Sequence, residues 1–236
     1  LIYPHRQRVA EEVSQLYLEL STHCNLSCRT CVRRSIESFS HAHLSPSLVT
    51  AVVASLKRLP ALERIVLLGF GEALCHPRCV EILVAFSRTG RRLVLVTNGH
   101  LLSREICELL VALPIHEVYI SWDDPVFKQG EAAGIRTGAN LEEVREGVAR
   151  LRRHRERNAA VFPRLGMEMV ATKGNWQYLS EIVRFWQKQG VERFILTHLF
   201  PYQEEMAPEI LYDASATTNL REIISGEGEF SYPSMV

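Results

Sequence analysis

Short apolar runs alternate with amphipathic stretches along most of the chain. The runs at residues 16–20, 64–68, 92–96, 117–121, 164–171 and 193–198 have the length and the apolar content of buried strands. Between them apolar residues recur with a helical period, and helix N-caps are expected at Ser45, Ser103, Asn140 and Asn175. The pattern therefore predicts six strands with a helix between each successive pair.

Continuous apolar strands separated by amphipathic helices are typical of a parallel sheet that is covered on both faces. Six such units on about 200 residues form most of a barrel, whereas a full eight-unit barrel needs about 250 residues. We therefore expect an α/β fold, an open partial (βα)6 barrel, over residues 15–200. Residues 1–14 are interpreted as a lead-in. Residues 201–236 are interpreted as a C-terminal extension that begins a missing region, because their periodicity is weak and the sequence stops at Val236 without a clear terminal element.

The charge and composition exclude several classes of function. The 27 basic residues balance 27 acidic ones, so no global charge attracts nucleic acid. No apolar run approaches the roughly 20 residues that cross a bilayer, and no secretion leader is visible. We expect a cytoplasmic chain that binds neither nucleic acid nor membrane and keeps its six cysteines reduced.

Each of the first four predicted strands is followed directly by an unusual polar or glycine-containing segment. The segments are Cys24 to Cys31, Gly69-Phe70-Gly71-Glu72, Thr97-Asn98-Gly99 and Ser121-Trp122-Asp123-Asp124. The carboxyl ends of parallel strands meet at one edge of a sheet, and α/β proteins place their active sites there. One site built from four strand ends is therefore predicted.

Cys24, Cys28 and Cys31 place three thiols on one short loop. Thiolates are the usual ligands of iron–sulfur clusters and of zinc. Three cysteines leave one iron of a four-iron cluster without a protein ligand, free to bind substrate or cofactor. A zinc site that adds His23 is the main alternative, although adjacent residues rarely reach the same tetrahedral metal. Three unliganded thiols are another, and zinc-dependent RNA binding is disfavoured by the neutral charge.

The C-x3-C-x2-C spacing after a first strand resembles the signature of the radical S-adenosylmethionine (SAM) superfamily. The segment from Gly69 to Pro77 is similar to the second motif of that superfamily, a Gly-x-Gly-Glu run that continues into His-Pro. Thr97-Asn98-Gly99 and Ser121 resemble motifs of the branch that contains cofactor-cyclising enzymes and peptide maturases. Two positions depart from the pattern: Thr30 stands where an aromatic residue is common, and Ala73 stands where Pro is usual.

The resemblance implies an enzyme that carries a 4Fe–4S cluster on the three cysteines. SAM would chelate the fourth iron, and the residues that the resemblance places around SAM are Gly71, Glu72, Thr97, Asn98 and Ser121. Reductive cleavage of SAM would give a 5′-deoxyadenosyl radical that abstracts hydrogen from the substrate. The non-enzymatic alternative is an iron–sulfur electron-transfer module, which has no need of an ammonium-binding Glu72.

A closer resemblance, to maturases associated with tungsten-cofactor oxidoreductases, rests on three segments. They are Cys28-Arg-Thr-Cys31-Val-Arg-Arg, the Gly-Phe-Gly-Glu form and Pro201-Tyr-x-Glu-Glu-Met206. It implies that the substrate is a pterin cofactor or its host enzyme, and a maturase that modifies a peptide or protein is the alternative. The reductant is expected to be an acidic ferredoxin or flavodoxin, with Arg29, Arg33 and Arg34 as candidates to receive it.

The remaining cysteines and the loop after the fourth strand complete the candidate residues. Cys75 and Cys79, four residues apart on a predicted helix, are expected to be buried, with ligation of an auxiliary cluster as the alternative. Cys107 is expected in the core. Asp123 and Asp124 begin a long loop over the barrel mouth and are candidates for substrate contact.

Overall fold

Six strands form one parallel sheet in the computed structural model, which describes residues 12–36, 39–126, 134–202 and 204–211. The strands are β1 (Gln15–Leu18), β2 (Arg64–Leu67), β3 (Arg92–Thr97), β4 (Ile115–Ser121), β5 (Arg164–Ala171) and β6 (Arg193–His198). Their order in the sheet is their order in the chain, and every neighbouring pair is parallel. β1 and β6 form the two edges, so the partial barrel is open and the predicted fold class is confirmed.

A helix lies between each successive pair of strands, as the periodicity predicts. The helices are α1 (Pro46–Ser55), α2 (Cys79–Ser87), α3 (Arg104–Ala112), α4 (Leu141–Arg157) and α5 (Leu179–Lys188). Three of the four predicted N-caps are confirmed by hydrogen bonds. Ser45 and Ser103 each accept a backbone N–H at 3.2 Å, and Asn140 accepts two, at 2.9 and 3.2 Å.

The prediction that Asn175 caps a helix is wrong. A 3-10 turn, Trp176–Tyr178, follows Asn175. The side chain of Asn175 caps neither this turn nor α5. The side chain is fully buried, donates to the carbonyls of Asp123 and Val170 at 2.9 and 2.8 Å, and accepts the N–H of Thr172 at 2.7 Å. Asn175 therefore joins the end of β5 to the loop after β4, because buried backbone carbonyls need donors that the sheet does not supply there.

The strand side chains divide between two faces according to the period of two. Ile65 and Leu93 belong to the face that packs on the helices in the main core. Val66, Val94 and Tyr119 belong to the other face and form a separate small cluster. The predicted burial of Cys107 is confirmed, since it lies in the main core with no exposed surface.

A cluster of ion pairs closes one end of the second face. The carboxylate of Glu117 on β4 is 2% exposed and pairs with Arg64, Arg92 and Arg193 at 2.9, 2.8 and 3.2 Å. Side chains from β2, β3, β4 and β6 thus meet on this face. Because the three arginines are the first residues of their strands, they occupy the amino-terminal end and leave the carboxyl-terminal end to the loops.

The predicted domain limits fall partly outside the described residues. Residues 1–11 of the predicted lead-in and residues 212–236 of the predicted extension lie there. The six strands span residues 15–198, within the predicted core of residues 15–200, whose exact limits stay a prediction. Within the part of the chain that the structure describes, no helix is both long and apolar enough to cross a membrane.

Candidate functional site

The four polar segments that follow β1 to β4 surround one cavity of about 190 Å³ at the carboxyl end of the sheet. All eight residues that the sequence singles out for cluster and SAM binding line this cavity. They are Cys24, Cys28, Cys31, Gly71, Glu72, Thr97, Asn98 and Ser121. Parallel strands in sequential order bring them together although they span almost 100 positions of the chain.

Backbone and side-chain N–H groups donate to two of the three sulfur atoms of the cysteine loop. The N–H of Leu26 donates to Cys24 Sγ at 3.4 Å, and Arg33 Nε donates to Cys31 Sγ at 3.4 Å. Burial raises the pKa of Cys24, and it raises the pKa of Cys28 to about 11. The Cys28 thiol is therefore protonated at neutral pH, and a metal that binds it must displace the proton.

Arg33 ties the cysteine loop together from within. Besides Cys31 Sγ, its guanidinium donates to the carbonyl of Leu26 at 2.6 Å and to that of Thr22 at 3.4 Å. The sequence groups Arg33 with Arg29 and Arg34 as a surface for a reductant. The structure separates them, because Arg33 is turned into the loop whereas the other two line a second cavity.

Gly71 is required by the close approach of two loops. A Cβ atom on Gly71 would lie 1.9 Å from the carbonyl oxygen of Ser21, which no rotation can relieve. The carboxylate of Glu19 accepts the N–H groups of Phe70 and Gly71 at 2.6 and 3.0 Å. The N–H of Glu72 donates to the carbonyl of His23 at 2.8 Å, so the glycine loop is joined directly to the cysteine loop.

Glu72 is a buried carboxylate, 3% exposed, whose hydrogen bonds fix its orientation. Oε1 accepts the hydroxyl of Thr97 at 2.8 Å and the N–H of Leu74 at 3.1 Å, while Oε2 accepts the N–H of Asn98 at 2.7 Å. Burial raises the pKa of Glu72, and these three bonds oppose that rise. A carboxylate has about four acceptor positions, so one stays open toward the cavity.

Asn98 reaches the cysteine loop through its side chain. Its Nδ2 donates to Asn25 Oδ1 at 2.7 Å and lies 3.7 Å from Cys24 Sγ. Sequence reasoning missed Asn25, which is exposed and carries no motif of its own. Asn98 therefore touches both Glu72, through its backbone, and the cysteine loop, through its amide.

The prediction that Cys75 and Cys79 are buried on one helix is wrong. Both are part-buried. Cys75 ends a 3-10 turn, Ala73–Cys75, and its Sγ lies 3.8 Å from Asn25 Oδ1, beside the cysteine loop. Cys79 begins α2. The turn separates the two cysteines because the loop that carries Glu72 must turn back before the helix can start.

Asp123 and Asp124 bind residues 135 and 136 of the long loop and do not point freely into the barrel mouth. Asp123 Oδ2 lies 2.8 Å from Arg136 Nε, and its Oδ1 accepts the N–H of Val170 at 2.7 Å. The Asp124 carboxylate accepts the N–H groups of Ile135 and Arg136 at 2.6 and 3.1 Å. Burial raises the pKa of Asp123, and the neighbouring Arg136 opposes that rise.

The segment held by these aspartates supports the cysteine loop. The carbonyls of Thr137 and Ile135 accept the N–H groups of Ser27 and Arg29 at 3.1 and 2.8 Å, on either side of Cys28. Sequence reasoning gave no role to Arg136. Its positive charge was a possible signal for pairing with Asp123 or Asp124, but the two aspartates precede it by 12 to 13 positions in the sequence.

A second cavity, of about 940 Å³, adjoins the first. Thr30 and Arg136 line both cavities, so the cysteine loop forms part of the wall between them. Arg29 and Arg34 line only the larger one. A volume of this size is at the upper end of the range for small-molecule sites.

The residues of the smaller cavity fit a 4Fe–4S cluster with SAM. Three thiols lie on one loop, N–H groups donate to the sulfurs of Cys24 and Cys31, and Glu72 lines the same cavity with one free acceptor position.

Comparison with known families gives one match over most of the chain. A family model described as the radical SAM superfamily matches residues 18–185. The tungsten-containing aldehyde ferredoxin oxidoreductase cofactor-modifying protein of Pyrococcus furiosus is 30% identical over 202 residues, which are 85% of this chain and 55% of that protein. The AdoMet-dependent heme synthase of Methanosarcina barkeri is 32% identical over 105 residues, which are 44% of this chain and 30% of that protein. The chain thus spans about half or less of these relatives.

Solved structures share the fold at low sequence identity. Streptococcus suis SuiB bound to the precursor peptide SuiA has a TM-score of 0.73 and 15% identity, over 93% of this chain and 48% of that one. SuiB bound to S-adenosylmethionine matches with the same TM-score and identity, over 93% of this chain and 50% of that one. At this identity the likeness shows a common fold.

Proposed function

Because the chain belongs to the radical SAM superfamily, whose members use a 4Fe–4S cluster and SAM, we propose that it cleaves SAM reductively at the smaller cavity. Cys24, Cys28 and Cys31 ligate three irons of the cluster. When bound, the reduced cluster supplies the electron that splits SAM into methionine and a 5′-deoxyadenosyl radical. The observation that carries this proposal is the presence of three thiols and a buried, oriented carboxylate around one cavity.

The chain's own residues orient SAM in this proposal. Glu72 binds the SAM ammonium at its free acceptor position, and Gly71, which packs without a side chain on the Ser21 carbonyl, presents its backbone to the ligand in the same cavity. Ser121 and the side chain of Asn98 are proposed to bind the ribose or the carboxylate. Thr97 is proposed to act through Glu72, since its hydroxyl already donates to that carboxylate.

The finer proposal is that the substrate is a tungsten or pterin cofactor or the oxidoreductase that holds it. It is supported by the 30% identity to the cofactor-modifying protein of Pyrococcus furiosus. A peptide- or protein-modifying maturase is the alternative. A ferredoxin or flavodoxin as reductant and a cytoplasmic location stay predictions. An electron-transfer module is disfavoured because it has no use for a buried ammonium-binding carboxylate such as Glu72.

Formation of 5′-deoxyadenosine tests the proposed chemistry. The protein is reconstituted anaerobically with iron and sulfide and then given SAM and dithionite. We expect product from wild type and from Cys79→Ala, a matched cysteine variant outside the cavity lining. We expect neither cluster nor product from Cys28→Ala. A cluster-containing wild type that forms no 5′-deoxyadenosine would favour electron transfer, and an active Cys28→Ala would contradict the ligand assignment.

The role of Glu72 is tested separately. Glu72→Gln keeps the shape of the side chain but removes its charge, so we expect the cluster to form while SAM binds at least tenfold more weakly. The measurement is SAM affinity of the reconstituted protein by equilibrium dialysis. An unchanged SAM affinity would remove Glu72 from the proposed site.

A further inference from the structure

The larger cavity contains two cationic side chains that the proposed chemistry does not use. We propose that Arg29 and Arg34 form an oxyanion subsite that binds a phosphate group of a small-molecule substrate. The proposal rests on the proposed function, since it places the substrate of the same site in the adjoining cavity. It names the chemical class of the ligand, a phosphorylated small molecule.

The position of the two arginines ties them to the reaction centre. Arg29 follows Cys28 directly, and Arg34 lies in the 3-10 helix Val32–Ser35 that follows Cys31. Both line the cavity of about 940 Å³, which shares Thr30 with the smaller cavity. A substrate held by these arginines would therefore lie next to the proposed site of radical formation.

The partners of the neighbouring arginines distinguish this pair. Arg33 is bonded to two carbonyls and a sulfur, and Arg136 pairs with Asp123 at 2.8 Å. Across residues 12–36, 39–126, 134–202 and 204–211, the guanidinium groups of Arg29 and Arg34 have no hydrogen-bond or ion-pair partner. Both side chains are exposed to the cavity and to solvent. Their donors are therefore available to a ligand.

The chemistry of the pair favours phosphate. Guanidinium groups bind phosphate and carboxylate through two parallel N–H bonds, and two of them supply two positive charges. A phosphate monoester carries about 1.5 to 2 negative charges at neutral pH, so it matches both groups, whereas one carboxylate matches only one. Four acidic side chains also line this cavity, and three of them already have partners. Asp124 accepts two backbone N–H groups, Glu142 pairs with Arg145, and Glu209 accepts the N–H of Gly174. The fourth is Glu205, in the 3-10 helix Glu204–Glu209.

Titration with inorganic pyrophosphate tests the subsite directly. The reconstituted protein, with saturating SAM, is titrated by isothermal calorimetry. We expect Arg29→Gln/Arg34→Gln to bind pyrophosphate at least tenfold more weakly than wild type. The matched control, Arg88→Gln/Arg157→Gln, removes two exposed charges at the ends of α2 and α4 and is expected to bind as wild type does. No binding to wild type, or equal binding to both double variants, would overturn the proposal.

Two further experiments distinguish a phosphate site from a carboxylate site and from a docking site for the reductant. Succinate is titrated in the same way, and binding as tight as that of pyrophosphate would overturn the assignment to phosphate. SAM cleavage by the Arg29→Gln/Arg34→Gln variant is compared with dithionite and with reduced flavodoxin as reductants. Normal pyrophosphate affinity together with a loss confined to flavodoxin would assign the arginines to reductant docking instead. Because calorimetry needs no turnover, pyrophosphate binding by a wild type that cannot cleave SAM would contradict only the proposed function.

Discussion

Replacement of Thr97 by Val should expose how Glu72 is held. The two side chains have nearly the same shape, but Val lacks the hydroxyl that donates to Glu72 Oε1 at 2.8 Å and accepts the N–H of Gly99 at 3.1 Å. A hydrogen bond to a charged group contributes about 1.5–3 kcal/mol. A buried N–H left without a partner costs about 1–3 kcal/mol more, independently of pH.

The first of these contributions depends on the charge of Glu72, so it should vary with pH. Burial raises the pKa of Glu72, so the folded protein binds this proton more tightly than the unfolded chain does. Stability therefore falls as the pH rises from the ordinary carboxyl pKa through the folded-state pKa. Thr97→Val removes a bond that opposes the rise, which extends the loss of stability to higher pH. A hydrogen bond to the protonated carboxyl still contributes about 0.5–1.5 kcal/mol, so the deficit of the variant should grow by about 1–1.5 kcal/mol between acid and neutral pH.

Urea unfolding of the cluster-free, reduced protein at several pH values measures this deficit. Thr89→Val is the matched control, because the Thr89 hydroxyl bonds only neutral backbone groups, at 2.7 and 3.4 Å. Its deficit should not change with pH. A Thr97→Val deficit that is equally constant would refute the reasoning, since it would show that the hydroxyl does not stabilise the charged form of Glu72.

Three further substitutions test the loops around the site. Gly71→Ala should cost about 3 kcal/mol or more, because its Cβ would meet the carbonyl oxygen of Ser21 at 1.9 Å, and an unchanged urea midpoint would contradict this. Arg33→Gln removes the donor to Cys31 Sγ and should speed iron release to a chelator severalfold, and an unchanged rate would exclude a role in holding the loop. Asp124→Asn replaces one acceptor oxygen by a donor and should increase hydrogen exchange in the segment it holds and in the cysteine loop, and equal exchange would argue against that support.

The fold could be predicted from the sequence because its signals are local. Strand runs such as residues 65–68 and 93–96 are continuous and apolar, and a Ser or Asn precedes most helices. Where a cap residue has a stronger long-range partner, the local rule fails. Asn175 is an example. Its side-chain amide donates to the buried carbonyls of Asp123 and Val170 instead of capping the helix that follows.

The candidate site could be predicted as a set of residues but not as a network. Sequential parallel strands bring the ends of β1 to β4 together, so motif position was enough to place the cysteines and Glu72 around one cavity. The hydrogen bonds that hold these loops in place could not be predicted in this way. Glu19 bonds the backbone of Gly71, and Asn98 bonds Asn25, over separations of 52 and 73 positions. Such pairs depend on how the loops are placed relative to one another in the folded protein. A short-range sequence pattern does not specify that placement.

The charges buried at the carboxyl end of the sheet connect stability with ligand binding. Glu72, Asp123 and Glu168 lie there beside the guanidinium of Arg136, and burial raises the pKa of all three carboxyls. A carboxylate removed from water without a full complement of partners costs folding energy. SAM, with a sulfonium and an ammonium against one carboxylate, is a net cation. A cationic ligand partly neutralises these carboxylates. The excess negative charge that destabilises the free protein therefore favours binding of the ligand. Bound SAM should raise the free energy of unfolding, and the increase should grow with SAM concentration.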